Sequence, residues 1–166
     1  LGIETSHRYT VVLANETRSI QAATAGAAWD DPANLVTVSK TYPSGAFKGK
    51  PLSTTQPDGK MTLNAYATDA TTMTTTVDSG VPNPAGDAIV DGTRSISITD
   101  KNGTHLSSQT IDIATGTVLS SSTPTNFDEF KRPQRVDYLD GTYTTTVYGC
   151  CGPEQTTDRE GNTTIT

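Results

Sequence analysis

Two adjacent cysteines, two histidines and a scatter of close carboxylates are the residues through which this chain could do chemistry. Cys150 and Cys151 are its only cysteines, and neighbours in sequence cannot staple two distant segments of one chain. Three states are open to them: semi-buried thiols in a turn, a strained vicinal disulfide, or bonds to other chains. As metal ligands they lack the Cys-x-x-Cys spacing or a nearby His that would complete a site. His7 and His105 are the only histidines. A nucleophilic triad needs a Ser or Cys held against a base and an orienting acid. No Gly-x-Ser-x-Gly elbow is present, and His105, in a Thr/Ser-rich segment, reads as an ordinary surface or strand-edge histidine.

Asp30 with Asp31, Asp128 with Glu129, and Asp137 with Asp140 are spaced closely enough for an acid/base pair of the glycosidase kind. Most stand beside turn residues, where an Asp carboxylate bonds its own backbone, and capping is the reading taken here. Asp100-Lys101-Asn102-Gly103 begins like a calcium loop, but the remaining ligands and the closing Glu are missing, so a turn is expected. Asn15, Asn102 and Asn162 each head an Asn-x-Ser/Thr triplet, which so many threonines produce by chance; Thr71 to Thr76 and Ser120 to Thr123 offer sites for O-linked sugars. The six tyrosines, Tyr9, Tyr42, Tyr66, Tyr138, Tyr143 and Tyr148, suit cross-strand packing with a wet hydroxyl, or stacking on a sugar ring.

The elements that must carry these residues are short strands. The 166 residues hold 32 Thr, 13 Ser, 14 Gly and 9 Pro, with a hydrophobic fraction of only 33%. Thr is β-branched and suits a pleated, half-wet surface, while Gly and Pro punctuate turns. Such a chain builds thin β-layers and leaves a thick core to neighbours. Leu35-Val36-Thr37-Val38-Ser39-Lys40-Thr41-Tyr42 alternates with the two-residue period of a half-buried strand. Arg8 to Ala14 precedes it, and Lys60 to Tyr66 follows a Pro57-Asp58-Gly59 turn with Thr72 to Val77 returning beside it. Thr93 to Thr99, Thr104 to Asp112 and Thr117 to Ser120 make a meander through turns at Asp100–Gly103 and Thr115–Gly116. The alanine-rich stretch Ile20 to Trp29 is too short and too interrupted by Gly26 to be a stable helix; an irregular segment is expected, with Trp29 as a core plug. Residues 1–80 read as an N-terminal β region, 81–87 as a Pro-rich loop or linker, and 88–166 as a second meander, the whole making one unit. The fold expected is all-β, an antiparallel meander or sandwich.

The end of the chain repeats itself. Arg135 to Leu139 and Thr142 to Tyr148 flank an Asp140-Gly141 turn, for which a mirror-image type with positive φ at Gly141 is expected, and Glu154 to Thr166 begins the pattern again around Gly161. Gly141 and Gly161 lie 20 residues apart, the spacing of a hairpin repeat. Asp140-Gly141, Tyr143, Tyr148, Gly152 and Thr157-Asp158-Arg159-Glu160-Gly161-Asn162-Thr163-Thr164 together resemble the tyrosine-aspartate (YD) repeats of the bacterial Rhs family, whose eukaryotic relatives are the teneurins. Looser copies are Thr55 to Thr62, turning at Gly59 and closing at Tyr66, and Asp91 to Arg94 followed by Thr99 to Thr104. The good match spans residues 134–166, and Tyr148-Gly149-Cys150-Cys151 replaces the family's Tyr-x-Tyr-Asp. The resemblance implies a β-sheet shell enclosing an effector, or surface recognition.

Net charge is −6, and no basic cluster exceeds Lys131-Arg132, so a nucleic-acid partner is excluded as an expectation. No segment has the length of a membrane-spanning helix, and no cofactor motif is found. An acidic, Thr-rich, Lys-poor β-chain points to a secreted or cell-surface protein, bacterial if the resemblance holds. The final repeat stops one strand short, as in a piece of something longer or a subunit whose terminal strand pairs with a neighbour. The residues therefore predict a non-enzymatic structural module that assembles with copies of itself, as homo-oligomer or filament, by strand exchange through Val11, Leu13 or Ile165. A polysaccharide-binding or adhesive module is the alternative, and a segment of an Rhs-type shell is the third.

Overall fold

The structure, a computed structural model, describes residues 8–166; His7 lies outside them. Thirteen strands are strung in chain order in one antiparallel sheet. They are β1 (Arg8–Leu13), β2 (Glu16–Gln21), β3 (Leu35–Thr41), β4 (Pro51–Thr55), β5 (Met61–Thr68), β6 (Thr72–Pro82) and β7 (Ile89–Asp100), then β8 (His105–Asp112), β9 (Val118–Phe127), β10 (Pro133–Tyr138), β11 (Tyr143–Tyr148), β12 (Pro153–Thr157) and β13 (Thr163–Ile165). The expected antiparallel meander is what forms, as one sheet and not a sandwich.

By internal contacts the chain divides into a first unit of residues 1–65 and 77–93 and a second of 66–76 and 94–166. The boundary cuts through β5, β6 and β7. The Pro-rich segment read as a loop or linker is a hairpin loop inside the first unit, where Val81 and Pro82 finish β6 and Asn83 N–H donates to Ala88 O at 2.8 Å.

In the first unit, β1 and β2 pair from Arg8↔Gln21 to Leu13↔Glu16, so the turn falls at Ala14–Asn15. Ile20, expected in an irregular stretch, is in strand β2 and is only 3% exposed. Past Gln21 the stretch is a loop and not a helix. Asn34, buried, organises it: its Oδ1 accepts Ala23 N–H at 3.0 Å and its Nδ2 donates to Ala28 O at 2.8 Å. Tyr9 Oη donates to Ala27 O at 3.0 Å. Ile20, Ala22, Ala27 and Ile89 form the small core. Trp29 is not part of it and is 53% exposed, because Asn34 takes up the loop carbonyls and leaves the indole on the outside.

The most constrained backbone in this unit is where Gly80 meets Gly92. A Cβ on Gly80 would lie 2.0 Å from Asp91 O, and one on Gly92 would lie 2.1 Å from Ser79 O. Only glycine lets two main chains approach so closely.

The second unit has almost no core: among its described residues only Pro124 is buried. A single sheet layer has nothing to bury either face against. Hydroxyls take the place of packing between facing strands. Ser108 Oγ lies 2.8 Å from Ser122 Oγ, and Thr157 Oγ1 lies 3.2 Å from Thr163 Oγ1, both at directly opposed positions. The first unit uses the same device at Ser39–Thr54 and Thr62–Ser79. Part of the Ser and Thr content thus serves cross-strand pairs.

Both outermost strands are paired within the chain, Val11 opposite Arg18, Leu13 opposite Glu16 and Ile165 opposite Gln155. Among the described residues neither has a strand on its other side, and Val12, Leu13 and Ile165 are exposed there.

Candidate interaction surface

The residues with chemical potential gather in the hairpin turns of the second unit, and the turns follow one design. In those headed by Asp100, Asp128, Tyr138 and Asp158, this first residue accepts an i+3 N–H and donates its own N–H to the carbonyl closing the loop; at Asp112 the accepted N–H is the i+4 one. At the Asp140-Gly141 turn, Gly141 N–H donates to Tyr138 O at 3.0 Å and Tyr138 N–H to Thr142 O at 2.9 Å. Gly141 has φ +80°, as expected, but Asp140 does not share the positive φ. A mirror-image type I′ turn needs it at both central residues, so this is a longer loop with glycine in the left-handed position. Gly59 and Gly161 hold the same position, with φ of +83° and +86°. At the β9–β10 turn Lys131 does so with φ 63°.

Carboxylates cap these turns. Asp100 Oδ1 accepts Asn102 N–H and Thr104 N–H, both at 2.8 Å; Asp158 Oδ1 accepts Glu160 N–H at 3.0 Å and Asn162 N–H at 2.7 Å. Asp128 Oδ1 does the same for Phe130 and Arg132 N–H, both at 2.9 Å. These bonds stabilise the ionised form. The Thr104 N–H holds Asp100 below the usual carboxylate range, and the Asn162 side chain and N–H do so for Asp158. At Asp128 desolvation pushes upward, but the Arg132 N–H and guanidinium outweigh it. Asp140 is lowered by the Thr142 hydroxyl and N–H and by Arg159. Asp137 turns to Arg135 and Thr125 instead, so Asp137 and Asp140 do not form an acid/base pair. Asp31 caps Ala33 N–H at 2.9 Å. The Asp100 loop is a turn, and among the described residues no three His, Cys, Asp or Glu stand together as metal ligands.

Three arginines, which the sequence reading passed over, tie the turns to the strands. Arg132 Nε donates to Asp128 at 2.7 Å, its guanidinium lies 4.3 Å from the Tyr148 ring centroid, and its Nη1 reaches Gly149 O at 3.4 Å. Arg135 pairs with Asp137 and lies 3.8 Å over Tyr143. Arg159 pairs with Asp140, donates to Thr142 Oγ1 at 2.8 Å and lies 4.5 Å over Tyr138. Each guanidinium thus sits between a carboxylate and a phenol. An Asp-x-x-x-Arg turn and an Arg-x-Asp strand pair were the available signals.

The tyrosines are therefore mostly engaged within the fold. Tyr138, Tyr143 and Tyr148 each have a ring face under an arginine. Tyr42 Oη donates to Asn64 O at 2.9 Å, and its ring meets Phe47 edge-on at 6.3 Å.

Depressions among the described residues of this unit include two beside these turns. One, of about 540 Å³, lies by the Asp100 and Asp128 turns and is lined by His105, Pro124, Phe127, Phe130, Lys131 and Val136 among others. The other, of about 220 Å³, is smaller and lined by Leu119, Tyr138, Leu139, Asp140 and Arg159 among others. Phe130 is 69% exposed at the rim of the first. Cys150 and Cys151 are both exposed, not semi-buried as one reading had it, and unbonded, with their sulfurs 3.0 Å apart. No helix among the described residues is long and apolar enough to cross a membrane. No protein-family model matches the chain, and no curated protein matches its sequence.

Proposed function

We propose that this chain is a non-enzymatic structural module, a length of repeat-built β-wall from a secreted or cell-surface bacterial protein, continued edge to edge by further strands. The observation that carries the reading is the bridge from Arg159 to Asp140 and Thr142. It joins two turns whose glycines are 20 residues apart, so consecutive repeats are fastened at their loops as well as along their strands. A wall built this way extends by adding hairpins. Its near-coreless second unit and the exposed Val12, Leu13 and Ile165 on its outermost strands suit the addition of further strands. The likeness to YD repeats favours a wall of the Rhs kind. Copies of this chain are the partner proposed for the free edges, by edge addition with each terminal strand kept in its own sheet.

The carboxylates and tyrosines are spent on turns and stacking, which disfavours the polysaccharide-binding alternative. The reading is tested by light scattering of the purified chain over a concentration series, beside gels cast with and without polysaccharide. Concentration-dependent association, abolished in Ile165→Lys and Val12→Lys variants, is expected. A monodisperse monomer that is retarded by polysaccharide would replace the wall with a binding module.

A further inference from the structure

The turn between β11 and β12 carries the one pair of reactive groups that the wall does not use. Gly149 N–H donates to Gly152 O at 2.9 Å, and this closes a loop with the two cysteines at its tip. The strand register shifts at Val147/Tyr148 just before it, and Gly152 has φ +158°. Both side chains face solvent, and Cys150 Sγ and Cys151 Sγ are 3.0 Å apart. A disulfide bond spans about 2 Å, so closure requires an approach of about 1 Å by two exposed side chains flanked by glycines.

We propose that Cys150 and Cys151 form a reversible vicinal disulfide, closed by exchange with a low-molecular-weight disulfide. One cysteine thiolate attacks a sulfur of that disulfide, forming a mixed disulfide and expelling one small thiolate. The other cysteine then attacks the mixed disulfide at the protein sulfur, expelling the second. Two protein thiols are oxidised, the small disulfide is reduced to two thiols, and no other oxidant enters. Both cysteines are exposed, so either can make the first attack and the other resolves the mixed disulfide. A ring between adjacent residues is strained, and strained exposed disulfides are the labile ones. Reduction by excess small thiol returns the pair.

Intact-mass measurement of the full chain after incubation with oxidised glutathione tests this. The expected product is a monomer lighter by two hydrogen atoms, with no thiol left to alkylate, restored by reduced glutathione. Cys150→Ser and Cys151→Ser should each be unable to form it, and any adduct they form should stay a mixed disulfide. Phenylarsine oxide, which needs two thiols on one arsenic, should protect the reduced wild type from alkylation and protect neither variant. Lasting glutathione adducts on the wild type, a disulfide-linked dimer, or no reaction at all would overturn the proposal.

Discussion

Arg132 lies 4.3 Å from the centroid of Tyr148 while its Nε donates to Asp128 at 2.7 Å, so one guanidinium ties the β9–β10 turn to the last residue of β11. In a unit with one buried residue, such links replace a core. A double-mutant cycle of Arg132→Ala with Tyr148→Leu should give a coupling of about 0.5–1 kcal/mol in urea unfolding. Arg132→Lys should recover little of it, since an ammonium keeps the charge but loses the planar stack. Strictly additive costs would mean that the stack contributes nothing.

Gly141 has φ +80° and open space where a Cβ would go. The penalty for a side chain there is therefore conformational and not steric. Gly141→Val should destabilise by about 1–2 kcal/mol, and Gly141→Asn by less, because Asn tolerates the left-handed region. Chemical denaturation of the two variants side by side checks the order.

The close approach of Gly80 and Gly92 is a different constraint. Alanine at either position places its Cβ about 2 Å from a backbone oxygen, and backbone cannot swing away as a side chain does. Gly80→Ala and Gly92→Ala should each cost at least about 2 kcal/mol. Gly26→Ala, with nothing within 4 Å of its Cβ, should be nearly neutral. Thermal midpoints of the three variants decide it.

Stability should fall with acid. Asp100, Asp128, Asp140 and Asp158 all ionise more readily in the folded chain than in the unfolded one, as do Asp69, held by the Thr72 hydroxyl and N–H, and Asp112, held by the Thr115 hydroxyl. The folded state therefore binds fewer protons. Its full stability is present above the ordinary carboxylate value of about 4 and is lost as pH drops through the lowered values. Thermal midpoints should be flat from neutral pH to about 5 and then fall. Asp100→Asn with Asp158→Asn should flatten that fall; an unchanged slope would remove the turn caps as its cause.

Much of this architecture was legible in the chain before any coordinates. Period-two alternation from Leu35 to Thr41, the abundance of Thr, and glycines at 59, 141 and 161 dictate strands and turns locally, because they act through one residue's own φ and its immediate neighbours. The connecting turns between successive strands then leave antiparallel pairing as the available order. Strand β4, Pro51–Thr55, was not legible: it is short and starts with proline, and it is a strand because β3 and β5 supply partners on both sides.

Tertiary structure alone decided the rest, for one physical reason: those features depend on groups far apart in sequence. Asn34 gathers the carbonyls of the alanine-rich loop, which puts Trp29 outside and Ile20 inside. The carboxylate of Asp140, bonded to Thr142 and Arg159, accompanies a turn that local propensity alone would have made a mirror-image one. The arginines could not be assigned to Tyr138, Tyr143 and Tyr148 until the register of β10 and β11 set which side chains share a neighbourhood.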